Sequence, residues 1–135
     1  MPLFKEIRGD VPYEFTIVGV AAGTAIEWPL LVAPFNMLIT AVKWVPNAAV
    51  TANGTNYATL SFRNRTTAGA GTAIPASRAY SATNSAALTS EAMTLSGTAT
   101  DLNVAAGDVL TLGIAHTGTG LTIPPGLVQV SIRGR

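Results

Sequence analysis

The feature that most constrains this chain is a strict two-residue alternation, clearest in its last third. Over residues 109–116, Leu110, Leu112 and Ile114 alternate with Thr111, Gly113 and Ala115. Over residues 127–133, Val128, Val130 and Ile132 alternate with Gln129, Ser131 and Arg133. Successive side chains of a strand point to opposite faces, so this pattern specifies strands with one buried and one wet face. Ala105-Ala106-Gly107-Asp108 reads as the turn into the first strand, with Gly107 free to take a positive φ. Thr117-Gly118-Thr119-Gly120 and Pro124-Pro125-Gly126 bracket the connection to the second.

The same rule can be followed back along the chain. Residues 13–20 place Tyr13, Phe15 and Ile17 on one face and Glu14 and Thr16 on the other. Residues 24–32 align Ile26, Trp28 and Leu30; Pro29 cannot donate to a ladder, which predicts an edge or bulged strand. Residues 37–45 are apolar on both faces, with Leu38, Val42 and Trp44 on one and Met37, Ile39 and Val45 beside Lys43 on the other. That predicts a strand covered twice, by the core and by a subunit interface. Residues 57–65 turn Ala58, Leu60 and Phe62 inward and Thr59, Ser61, Arg63 and Arg65 outward. Residues 72–80 form a short strand in which Pro75 marks an edge or a bend. A polar, alanine-rich crossing follows at 81–90, with one helical turn expected over 85–91 and short strands over 92–96 and 100–104. About eight to ten short strands separated by Gly, Pro and Asn predict an all-β fold, an antiparallel β-sandwich or jelly roll. Residues 1–12, charged and flanked by prolines, are expected to be an extended N-terminal arm, and residues 13–135 a single domain.

Composition bears on what such a sandwich does. Charged residues are 11% of the chain, against about 25% in ordinary soluble domains, while hydrophobic residues are 48%. So little charge predicts a surface covered by copies of the chain or by a partner. The net charge of +1 gives no electrostatic footprint for nucleic acid. No cysteine is present, which excludes disulfides and thiolate chemistry. The apolar run 17–35 is interrupted by Gly19, Gly23, Glu27, Pro29 and Pro34, so no membrane span is expected. The first ten residues carry charge where a leader would be apolar.

No catalytic constellation is legible. His116 is the one histidine, and reads as a half-buried residue at a strand end. The acids Glu6, Asp10, Glu14, Glu27, Glu91, Asp101 and Asp108 are scattered, and Asp101 and Asp108 flank turns where Asp bonds the local backbone. No metal or cofactor is expected, and no enzymatic activity. Arg63 and Arg65, two apart on one strand face, are candidates to face an interface, an acidic partner surface or a phosphate. Trp28, Trp44, Tyr57 and Tyr80 offer a sugar platform in principle; Trp28 and Trp44 share faces with aliphatics, which favours core. Arg8-Gly9-Asp10 and the sequons at Asn53 and Asn64 are short motifs of low specificity.

The segment LNVAAGDVLTLGIAHTGTGLTIPPGLVQVSI, residues 102–132, resembles the C-terminal part of head-decoration, or cement, proteins of tailed bacteriophages, of the jelly-roll type. It covers about a quarter of the chain. The resemblance implies a homotrimer seated on the outer surface of an icosahedral capsid, where it binds the major capsid protein and stabilises the shell against internal pressure. The arm would then reach across the shell, with Leu3, Phe4, Lys5, Ile7 and Arg8 as capsid-contact candidates. Similar wording occurs in viral tail and fibre domains, which implies a receptor- or carbohydrate-binding jelly roll as the alternative.

Overall fold

A computed structural model of the chain describes residues 9–135. The arm positions Leu3, Phe4, Lys5, Ile7 and Arg8 lie outside the described residues. Ten strands follow in order: β1 (Val11–Ile17), β2 (Ile26–Val32), β3 (Met37–Pro46), β4 (Tyr57–Asn64), β5 (Ala73–Ala79), β6 (Glu91–Ala92), β7 (Thr94–Leu95), β8 (Asn103–Val104), β9 (Val109–Thr117) and β10 (Gly126–Gly134). All pairings are antiparallel. One sheet runs β1-β10-β3-β6, with β8 also on β3; the other runs β2-β9-β4-β5-β7.

The order is that of a jelly roll. The first half of the chain pairs with the second as one long ribbon: β1 with β10, β2 with β9, β3 with β8, and β4 with β5 near the tip. The ribbon is then rolled, so that β10 meets β3 and β9 meets β4. Rolling leaves two sheets face to face and buries one side of each. Ile39, Val42, Trp44, Val128, Val130 and Ile132 of the first sheet meet Leu60, Phe62, Leu110, Leu112 and Ile114 of the second. In β1 and β10 the alternation is the alternation of burial; in β4 and β9 the inward positions are buried as expected, and Ser61, Thr111 and Gly113 on the opposite face are buried as well. Among the described residues no helix is long and apolar enough to cross a membrane.

Four details differ from the alternation rule, each for a local reason. The register of β3 on β10 shifts so that Ala41 faces Ser131 and Ile39 faces Ile132, leaving Thr40 as an extra residue. This bulge reverses the phase of β3: Met37 and Ile39 are buried before it, Val42 and Trp44 after it. One buried side that changes phase therefore produces apolar residues of both parities, and Leu38 lies opposite Val42 and Trp44 rather than with them. The predicted cover on two sides is not needed to explain the pattern. Second, residues 85–91 form no helix; Ser85 instead bridges Val50, and the short helix is a 3-10 turn at Ala99–Leu102, which overlaps the expected strand 100–104 and leaves Asn103–Val104 as strand. Third, the expected strand 92–96 is two short pieces around buried Met93, as the chain passes from β3 in one sheet to β5 in the other. Fourth, β1 begins at Val11, opposite Ile132, two residues before the expected strand. Pro12 is accommodated because β1 is a sheet edge.

Both prolines of interest behave as their chemistry requires. β2 is the edge of its sheet and its register shifts between Pro29 and Leu31. Pro75 lies in an interior strand, at a bulge where the register shifts between Phe62 and Asn64.

Candidate functional site

The outer face of the second sheet is built from small residues. Register places Ser61 beside Gly113 and Ser77, and Thr59 beside Ala115 and Ala79. The charges gather at one end of this face. Glu27 of β2 is opposite Gly113, and Arg63 of β4 is opposite Thr111. Arg65, one residue past the end of β4, reaches across to Glu27: its Nε donates to Oε1 at 2.7 Å and its NH2 group to Oε2 at 2.6 Å. Thr111 donates its hydroxyl to the same Oε1. The Arg65 hydrogen bonds hold the Glu27 carboxyl at a pKa of about 2, against partial burial, with further help from Thr111 and from the charges of Arg65 and Arg63. The same pair raises the pKa of Arg65.

Arg63 is left over from this arrangement. Its Nε is buried and has no hydrogen-bond partner among the described residues. A buried donor without an acceptor costs about 1–3 kcal/mol. The side chain lies over Gly113, where a Cβ would stand 3.1 Å from the Arg63 Nε. Glycine inside a strand often marks such a close approach. Sequence reasoning singled out Arg63 and Arg65 as a pair, and the structure sets Arg65 on the Glu27 carboxylate while Arg63 acts on it only through its charge. It thus separates them, since one is bound and the other is not. Glu27 was missed as their partner, because nothing near it in sequence points to a residue 38 positions away.

A second polar cluster is internal. The Trp44 Nε1–H donates to the Tyr80 hydroxyl at 2.8 Å, which lies 2.7 Å from the Ser85 Oγ. Ser85 donates to Glu91 Oε1 at 2.7 Å, and Arg78 Nε closes the chain on the same oxygen at 2.9 Å. The Arg78 guanidinium also stacks 4.2 Å from the Tyr80 ring centre and donates to the Thr83 carbonyl. Burial raises the Tyr80 pKa, so the hydroxyl stays protonated. This network fastens the crossing 81–90 to the core.

The remaining candidates have structural partners. The His116 Nδ1 accepts from the Leu121 N–H at 3.3 Å, which leaves the proton on Nε2 to donate to the Thr24 carbonyl at 2.9 Å. Asp108, buried, accepts from Asn64 Nδ2 and from the Ala105 N–H, as the turn reading expected. Asp101 differs: its carboxylate accepts from the Ser96 hydroxyl at 2.6 Å. Asp10 of the Arg-Gly-Asp motif accepts from Thr40 and pairs with Arg133 at 2.9 Å. The six acids of the described residues thus each accept an internal hydrogen bond, Glu14 from Gln129 included. Glu27 and Asp101 do not meet, and no three His, Asp or Glu side chains among the described residues converge on a metal position. Asn53 caps the Thr55 and Asn56 amides, and Asn64 is buried. Trp44 and Tyr80 are core; Trp28 packs partly buried against it.

The first sheet carries a different surface. Ile17, Val45, Pro125 and Leu127 line a shallow apolar depression of about 310 Å³ beside Leu88. Leu88 is 77% exposed and holds a left-handed backbone, φ +56°. A leucine rarely adopts that conformation.

Comparison with protein-family models, with curated proteins and with solved structures returns no match to this chain.

Proposed function

We propose that this chain is a structural subunit that decorates the outside of an icosahedral phage head as a homotrimer, binding the major capsid protein and bracing the shell against internal pressure. The observation that carries this reading is the outer face of the second sheet: Thr59, Ser61, Ser77, Gly113 and Ala115 are all small, with charge gathered at one end and Arg63 resting over Gly113. Small side chains leave little entropy to lose on contact and let another backbone approach closely. The apolar depression beside Leu88 on the opposite side supports the same reading, because it offers a second contact surface. Residues 102–132, which carry the resemblance, lie in the 3-10 turn, β8, β9, β10 and the turns between them.

The mechanism is clamping. A trimer that contacts several capsid subunits adds buried surface that their separation must expose. Three copies engage together, so each binding event raises the effective concentration of the next. The test is a solution mass followed by sedimentation with expanded and unexpanded shells. The reading expects three times the 13.8 kDa chain and binding to expanded shells. Removal of residues 1–8, upstream of β1, should weaken that binding and leave the fold intact. A monomer that ignores both shells, or that binds a defined glycan saturably, overturns the proposal.

A further inference from the structure

Arg63 has the features of a binding group without a ligand. Its Nε is buried without an acceptor, and no described residue forms a hydrogen bond with its guanidinium. The nearby carboxylate, Glu27, feels its charge but has both oxygens engaged by Arg65, and Oε1 by Thr111 as well. Gly113 supplies the space in which the side chain rests. We infer that Arg63 receives a carboxylate, from an Asp or Glu of a partner protein lying flat on the outer face of the second sheet.

The charge count selects the ligand. Arg63, Arg65 and Glu27 sum to one positive charge, which a single carboxylate neutralises. A phosphate dianion would exceed that charge and set its surplus beside Glu27. The planar guanidinium also matches a carboxylate through two parallel N–H donors. Among the described residues of a second copy each of the six side-chain carboxylates already accepts an internal hydrogen bond, which favours a different protein as the partner. This inference does not depend on the decoration reading, since it concerns the chemistry that the face accepts and not the particle to which it belongs.

The test is a titration of the 15N-labelled full chain, followed through the arginine Nε–H resonances at constant ionic strength. The probes are acetyl-Ala-Glu-Ala-amide, its Gln analogue, sodium acetate and inorganic phosphate. The Arg63 resonance is assigned by its loss in Arg63→Lys. It should shift saturably with the Glu peptide, at least threefold further than with the Gln peptide, while the Arg78 resonance stays in place. Acetate should reproduce the shift with a midpoint several-fold higher, since it lacks the flanking backbone that lies on the serine face. Gly113→Ala, which crowds the guanidinium without removing it, should raise the Glu-peptide midpoint at least threefold with the amide spectrum otherwise preserved. A shift of Arg63 no larger than that of exposed Arg133, or equal shifts with the Glu and Gln peptides, overturns the inference. Tighter binding of phosphate overturns the choice of ligand, and equal midpoints for acetate and the Glu peptide overturn the protein partner.

Discussion

Replacing Tyr80 by Phe isolates one bond of the internal network. Trp44 and Tyr80 are fully buried, and the indole N–H has the Tyr80 hydroxyl as its acceptor. Phe removes that oxygen and little else, so the indole donor is left in a dry core at a cost of about 1–3 kcal/mol. Ser85 is less affected, because its Oγ still donates to Glu91 and accepts from Arg78. The loss is therefore confined to the indole end, and about 2 kcal/mol is the expected value. With a urea slope of about 2 kcal/mol per M for a domain of this size, the unfolding midpoint should fall by about 1 M at unchanged slope. Tryptophan fluorescence follows the transition, at a fixed protein concentration so that any assembly contributes equally. The cycle closes with Trp44→Phe and the double variant. The double variant should be less destabilised than the sum of the singles by about 1 kcal/mol, because it no longer buries an orphan donor. Additive effects, or a midpoint that does not move, would refute the argument that the Tyr80 hydroxyl satisfies a buried indole donor.

Two further expectations follow from named contacts. Because the folded pKa of Glu27, about 2, lies below its usual 4.5, the ion pair with Arg65 contributes fully above pH 4.5 and is lost as the pH falls towards 2. The pair is partly exposed, so solvent screening limits it to about 1 kcal/mol; the stability gap between the wild type and Glu27→Gln should narrow below the usual value of 4.5 and close as the pH reaches about 2, and a gap independent of pH counts against the pairing. A Cβ at Gly126 would stand 2.5 Å from Trp44 Cη2 and equally close to the Val45 carbonyl, so Gly126→Ala should cost about 1–3 kcal/mol and lower the thermal midpoint by several degrees, whereas an unchanged melt would show that the indole has room to yield.

Much of the fold was legible because antiparallel strands with one wet face write their burial into alternate residues. Ala58, Leu60 and Phe62 in β4, and Leu110, Leu112 and Ile114 in β9, are buried as their parity required. Pro29 announced an edge by lacking a donor, and β2 is an edge. Parity failed in β3, where the bulge at Thr40 reverses phase midway and the sequence carries no Gly or Pro to mark it. Within the crossing 81–90 the sequence suggests one helical turn over 85–91, but the conformation is decided by Arg78, Ser85 and Glu91, whose bonds to Tyr80 and to each other span turns that no period describes.

The chain by itself determined which faces are apolar, where it must turn, and that few charges remain to cover the outside. These are local properties, set by side-chain period and by backbone freedom residue by residue. Only the rolled ribbon decided which strands are neighbours, and hence that Glu27 meets Arg65 while Arg63 rests on Gly113 without a partner. Those meetings join residues far apart in sequence, and they exist only once β2, β9 and β4 lie side by side.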